Sequence, residues 1–371
     1  MLTEFNRTSL PRWSRIALGC LVLALLPGCG TTYLLQAARG QWEIIRERRP
    51  IETVLADEST PEPVRLRLSE VSAARDFASR ELALPDNGSY RSYADLGRPF
   101  VVWSVVAAPE FSVEPQRWCF PIAGCVAYRG YFRERSARAF AETMRRRGFD
   151  VIVGGVPAYS TLGRFADPVL NTMMHYGDGE LAAIIFHELA HQVLYVPGDS
   201  EFNEAFAVAV ERAGLERWLH LRGKEDVLER YRAYQTRRQE YIDLFLRRRA
   251  ELQELYASDM PPEEMRERKR AIFAQLEADM RELERRQGVP SPYKDWLATG
   301  LNNAHLASVA TYFDCVPGFE RLLKAQNGDL TRFYAEARRI SKLPRAERHL
   351  QLCESATPDE LAETLPAGTT P

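Results

Sequence analysis

The stretch Ile184-Ile185-Phe186-His187-Glu188-Leu189-Ala190-His191-Gln192 constrains this chain more than any other. It is an apolar run that carries His-Glu-x-x-His. Residues four apart in a helix lie one turn above each other, so His187 and His191 present their imidazoles on one face. Neutral imidazole nitrogens at that separation can hold one Zn²⁺, and Glu188 beside them is free to polarise a bound water. The chain has only 6 His. Even with every acidic residue counted as Glu, chance yields roughly 0.01 such matches in a chain of this composition. The run is therefore read as a metal-binding helix, and the remaining sequence must supply its further ligands.

The chain has 371 residues, 45% of them hydrophobic, enough for one large or two small domains. Its formal net charge of -2 gives no global reason to expect nucleic acid or an acidic substrate. Arg7, Arg12 and Arg15 precede an apolar run from Ile16 to Leu26, the layout of a secretory signal and too short for a membrane span. The run ends Leu26-Pro27-Gly28-Cys29, which resembles a bacterial lipoprotein signal. The resemblance implies removal of residues 1–28 and a lipid on Cys29, attaching the mature chain to a membrane. With Gly30 next, it implies the periplasmic face of the outer membrane in the cell envelope.

Cys20 would leave with the signal, so Cys119, Cys125, Cys315 and Cys353 remain beside Cys29. An even set in an oxidising compartment predicts up to two disulfides. Cys119 and Cys125 flank a turn-rich stretch and can close a small loop, and Cys315 with Cys353 would complete the set. The absence of Cys-x-x-Cys argues against a cysteine zinc site.

Residues 29–99 read as an anchor followed by helices. One spans Tyr33 to Arg48 and packs on the body; a second runs from about Pro61 to Leu84 with Val64, Leu66, Leu68, Val71, Phe77 and Leu82 inward. Residues 100–222 form the catalytic core. Phe100–Val106 and Val126–Phe132 read as strands, Arg133–Arg147 as a helix closed by Gly148, and Asp150–Val156 as a strand. This predicts a small mixed sheet ahead of the His-Glu-x-x-His helix, the layout of a zincin upper subdomain. The stretch Val156–Pro168 is placed to serve as an exposed edge strand that pairs with a peptide, through Tyr159, Ser160 and Thr161. The metal helix is expected to start near Asp178–Glu180 and to end by Pro197-Gly198.

Residues 223–288 change composition. Glu225–Tyr256 and Pro262–Gln287 are charged helical runs around the turn Ser258–Pro262, with an apolar stripe that includes Tyr241, Phe245, Phe273, Leu276 and Met280. They predict an antiparallel hairpin projecting from the body, whose interleaved charges form a solvated face or a surface for a protein partner rather than for nucleic acid. Residues 289–356 read as a helical subdomain completing the cleft, broken at Pro317-Gly318 and Asn327-Gly328, and 357–371 as a loose tail. The fold class is thus α+β and mainly helical, a zincin-like metallopeptidase core with a small mixed sheet and a projecting antiparallel helical hairpin.

Two histidines leave Zn²⁺ needing a third protein ligand and an open position for water. The extended His-x-x-Gly-x-x-His continuation is absent, since Leu194 and Pro197 stand where its Gly and His would be. Downstream, Pro197-Gly198 turns the chain and Asp199 or Ser200 can cap a second helix, which carries Glu204 in its first turns. Glu204 is the expected third ligand, with Asp199 and Glu201 as rivals.

His187-Glu188-x-x-His191 followed by Asn203-Glu204-Ala205-Phe206-Ala207 resembles a gluzincin-type metallopeptidase. With the Cys29 signal, Ala38–Gln41, Gly155–Gly163, Phe202-Asn203-Glu204 and Asn302–Leu306, the chain resembles the bacterial family of predicted lipoprotein aminopeptidases over nearly all its mature length. The resemblance implies hydrolysis of peptide substrates at one Zn²⁺. Glu188 would take the proton from the attacking water and deliver it to the leaving amine. The oxyanion needs a further donor. His305 and Tyr312, seven apart on one predicted helix, are candidates, with Tyr159 a rival. An endopeptidase, or a non-catalytic zinc-containing lipoprotein whose hairpin binds an envelope partner, are the competing readings.

Overall fold

The computed structural model describes residues 29–120 and 124–353. The signal segment 1–28 and the tail 357–371 lie outside the described residues. Described elements run in the order α1 (Cys29–Glu47), β1 (Arg49–Pro50), α2 (Ile51–Ala56), α3 (Glu62–Glu81), β2 (Ser92–Ala94), β3 (Val102–Pro109), β4 (Trp118–Phe120), β5 (Gly124–Val126), β6 (Arg129–Tyr131), α4 (Glu134–Arg146), β7 (Phe149–Val156) and β8 (Val169–Leu170). From there the chain is helical: α5 (Asp178–Val193), α6 (Ser200–Leu221), α7 (Glu225–Tyr256), α8 (Pro262–Gln287), α9 (Lys294–Thr299), α10 (Asn303–Phe313), α11 (Val316–Ala325), α12 (Leu330–Ser341) and α13 (Arg345–Leu352). The class is α+β and mainly helical. The chain divides at Arg46 into a first unit holding most of α1 and a second unit from Glu47 onward. Among the described residues no helix is long and apolar enough to cross a membrane.

The central strand pattern differs from expectation in one respect. The sheet β6-β3-β7 is antiparallel throughout, with Ser104 opposite Gly154; the mixed sheet is instead the small β1-β2-β8. Helix α4, closed by a tight turn at Gly148 with φ +82, packs back on β3 and β7. Among the described residues, strand β7 pairs with β3 on one side only and is the edge of its sheet. The predicted edge strand Val156–Pro168 is a loop apart from its first residue, because Pro157 lacks a donor and Leu162 and Gly163 both adopt positive φ.

Helix α3 buries Leu68, Val71 and Phe77, but Leu66 is 60% exposed, because the helix shows the core only one stripe. Helices α5 and α6 form an antiparallel pair. Gly214 of α6 permits their close approach, since a Cβ there would stand 2.9 Å from the Phe186 ring. Below them Phe206, Phe319 and Phe333 are fully buried, with Phe206 and Phe333 stacked at 5.6 Å. Burial of each is worth about 2 kcal/mol.

Helices α7 and α8 form the expected antiparallel hairpin, but it does not project freely. Tyr241, Phe245, Leu252 and Leu276 share one core with Val113, Leu306 and Val309 of the body. Lys269 Nζ reaches Asp150 at 2.7 Å and Arg266 Nε reaches Glu110 at 2.6 Å, so the charged faces include ties to the sheet side. Pro317-Gly318 also departs from its predicted role as a break: both lie in the first turn of α11, where a proline costs no hydrogen bond. Gly318 is required there because the Leu352 backbone lies against it. Disulfides join Cys119 to Cys125 and Cys315 to Cys353.

Candidate active site

Helix α5 starts with the Glu180 carboxylate accepting from the Gly177 backbone N–H at 3.0 Å, and it carries His187, Glu188 and His191 in its second half. Helix α6 starts at Asp199, whose side chain accepts from the Phe202 N–H at 3.4 Å. Asn203 then fixes the angle between the two helices. Its amide accepts from Val196 N at 2.7 Å and donates to Val196 O at 2.8 Å, so the connecting loop is clamped one residue before Glu204.

The result is a convergence of three groups. Oε2 of Glu204 lies 3.4 Å from Nε2 of His187 and 3.7 Å from Nε2 of His191, and the candidate ligand atoms of all three residues fall within 4.8 Å of one another. Two imidazole nitrogens and one carboxylate oxygen aimed at one point form a donor set that suits Zn²⁺. The rival carboxylates point elsewhere. Asp199 is fully buried against Arg348 at 2.7 Å and His349 at 2.8 Å; Glu201 pairs with Arg117 at 3.0 Å.

On the other side of His187, Nδ1 meets Oε2 of Glu211 at 3.0 Å. Burial disfavours a charge on His187, but hydrogen bonds to Glu204 and Glu211 outweigh it and hold its pKa well above the usual value. Burial likewise works against ionisation of Glu204, and hydrogen bonds from His187 and His191 overcome it and pull its pKa down. A divalent ion held here would displace the proton from His187.

Glu188 is half-buried on the adjacent face of α5, and burial lifts its pKa. Two loops meet this face. Gln192, one turn on, accepts from Asn87 at 2.7 Å and donates to Ser89 at 3.2 Å. Tyr90 follows with a wholly buried ring and φ +62, a backbone conformation that costs a side-chain-bearing residue about 1 kcal/mol or more. Its pKa is raised by burial first, then by the charges of Glu188 and Asp167. Asp167 holds the second loop by accepting from Thr161 N and Thr161 Oγ1, each at 2.8 Å. Of the three residues expected to pair with a peptide, Thr161 is thus engaged within the loop, and Tyr159 packs edge-on against Phe132 at 5.3 Å. Ser160 Oγ accepts from Leu162 N at 3.2 Å.

Tyr312 and His305 share α10 but not a setting. The charge of Glu204, then burial, raises the Tyr312 pKa well above its usual value, so its hydroxyl keeps its proton. His305 lies two turns back. Its Nδ1 accepts from Asn302 N at 3.1 Å, its ring packs on Trp296, and burial lowers its pKa to about 4, leaving it neutral. Both residues line a cavity of about 440 Å³ that follows β7 from Val151 to Val156.

Glu211, Tyr90 and Asp167 were not singled out in the sequence, and Asn203 was quoted in a motif but given no role. Glu211 had a signal, because it is two turns beyond Glu204 on the same helix. Tyr90 and Asp167 had none, since only the packing of two loops on α5 brings them to Glu188. No match to a curated protein or to a solved structure was found. A family model described as "Putative aminopeptidase" matches residues 32–352, and the chain belongs to that family.

Proposed function

We propose that this chain is a zinc-dependent aminopeptidase of the bacterial cell envelope, anchored through lipid on Cys29. The observation that carries the catalytic part is the convergence of His187, His191 and Glu204 with a free carboxylate, Glu188, on the adjoining helix face. A structural metal site has no use for that extra carboxylate. The family description supports a peptide substrate cleaved from its amino end.

His187, His191 and Glu204 would hold the ion, and Glu211 would orient His187 through its second ring nitrogen. When bound, zinc supplies Lewis acidity that polarises the scissile carbonyl and lowers the pKa of water toward neutrality. Glu188 takes the proton of the attacking water and returns it to the departing amine. Tyr312 donates a hydrogen bond to the oxygen that gains charge in the tetrahedral intermediate. His305, engaged with Asn302 and Trp296, has no direct part.

Peptides with free and with N-acetylated amino ends test this, together with metal analysis of the purified chain. The expected result is one zinc per chain, stepwise loss of amino-terminal residues from the free peptides, and no cleavage of the capped ones. Cleavage of capped peptides would make the enzyme an endopeptidase. Bound zinc with no cleavage of any peptide would make the protein a scaffold.

A further inference from the structure

The cavity beside β7 is bounded by two helices that run differently along it. The start of α10 is fixed to the start of β7 by Asn303 N donating to Asp150 Oδ2 at 3.0 Å. Tyr312, at the other end of α10, lines the same groove, whose opposite limit along β7 is the Val156 end. That end leads into the loop that rests on α5, where a Cβ at Gly163 would stand 3.0 Å from the Gln192 carboxamide oxygen. Helix α4 returns into β7 through the Gly148 turn and so runs the opposite way, with Arg145 near the start of the strand and Arg138 two helical turns, about 10 Å, toward its end.

Among the described residues that line this groove, the only ones carrying a full charge at neutral pH are Arg138 and Arg145. No carboxylate lines it. Their partners, Glu134 at 2.7 Å and Glu142 at 3.8 Å, are exposed neighbours on α4 itself, and such surface pairs exchange readily with a ligand's carboxylate. The imbalance extends beyond the groove: residues 129–147 contain seven Arg against two Glu, in a chain whose formal net charge is -2.

We infer that the groove selects acidic peptides, with Arg138 and Arg145 reading Asp or Glu side chains downstream of the cleaved bond. A substrate with its amino end at the Tyr312 mouth and its chain antiparallel to β7 uses the free strand edge for backbone pairing. Its following residues, at about 3.4 Å each, then pass Arg138 and afterwards Arg145 within about five positions. The near-neutral composition hides this preference, because the compensating acids lie elsewhere. The inference rests on the proposed peptidase function for the identity of the occupant.

The test uses zinc-loaded full-length chain carrying Glu188→Gln, so that binding is read without turnover. Titration calorimetry compares C-terminally amidated octapeptides that differ only in having Glu or Gln at positions three and six. The Glu peptide is expected to bind about tenfold more tightly at low ionic strength, with the advantage shrinking in high salt. Adding Arg138→Gln and Arg145→Gln is expected to remove the advantage and leave the affinity for the Gln peptide unchanged, with an unaltered circular dichroism spectrum. Equal binding of the two peptides overturns the inference, as does a preference that survives both arginine substitutions. So does a preference seen only when the peptide's own C-terminal carboxylate is left free. Parallel digestion by the unsubstituted chain separates the two claims. Cleavage of both peptides with no binding preference sinks the acidic specificity alone, whereas arginine-dependent binding with no cleavage sinks the peptidase function alone.

Discussion

Oε2 of Glu211 lies 3.0 Å from Nδ1 of His187, while the other nitrogen of the same ring faces Glu204 at 3.4 Å. One imidazole is therefore held from both sides. A carboxylate on Nδ1 keeps a proton there and presents the Nε2 lone pair to the point shared with His191 and Glu204. Glu211→Gln is expected to weaken zinc binding about 10–100-fold. Competition with a chromophoric chelator measures it, and an unchanged affinity would remove Glu211 from the site.

Tyr312→Phe keeps the ring and deletes only the hydroxyl. If that hydroxyl stabilises the oxyanion, kcat falls about 100-fold or more while KM and zinc content change little. A rise in KM with kcat preserved would show that Tyr312 binds substrate without assisting the chemistry.

Glu188→Gln leaves the candidate donor set intact and removes the group proposed to move the proton. Hydrolysis is expected to drop about 10²–10⁴-fold with one zinc still bound per chain. Retained activity would place the base elsewhere.

His305 gives the fold an acid-sensitive point away from the metal candidates. Its folded pKa of about 4 lies below the ordinary imidazole value of 6.5 kept in the unfolded chain, because burial penalises the charged form. The unfolded chain therefore binds the proton first, and stability is lost as pH falls from 6.5 through 4, by up to about 3 kcal/mol. Asp167 acts with the opposite sign. Burial raises its pKa to about 6 from 3.8, so its contribution is lost as pH rises through 6. The two are separated by comparing His305→Gln with the parent chain in urea unfolding at pH 7 and pH 4.5. The variant is expected to lose less stability on acidification; identical losses would refute the assignment.

The Cys315–Cys353 bridge closes a 38-residue separation and fastens α13, whose Arg348 and His349 hold Asp199. Replacing both cysteines with Ser is expected to cost about 2–4 kcal/mol in chemical denaturation. Hydrogen exchange in residues 345–352 should rise in the same variant.

The parts of the site legible in the sequence were those set by helical periodicity. His187 and His191 one turn apart, Glu204 in the first turns after a Pro-Gly reversal, and Tyr312 on a helix of its own all follow from local rules. The edge strand was placed one element too late, because Val156–Pro168 carries apolar residues like a strand while the positive φ of Leu162 is not marked by its residue type. The hairpin appeared to stand free because its charges are obvious, whereas the contacts that fasten it, such as Lys269 to Asp150, join residues 119 positions apart. Tyr90 and Asp167 were invisible for the same reason.

Asp199 begins the helix that carries Glu204, and its buried carboxylate is satisfied by Arg348, 149 residues further along the chain. Synthesis runs from the amino end, so the pair of helices bearing the metal candidates is made long before the cations that complete its start. A nascent chain lacks α13 and leaves that carboxylate without its partners, a costly arrangement for a buried charge. By this wiring the start of the helix that carries Glu204 is completed only once residues 345–352 are in place. Under the proposed peptidase function, activity would then arise only after the enzyme's own polypeptide has folded, and not beside unfolded stretches of itself.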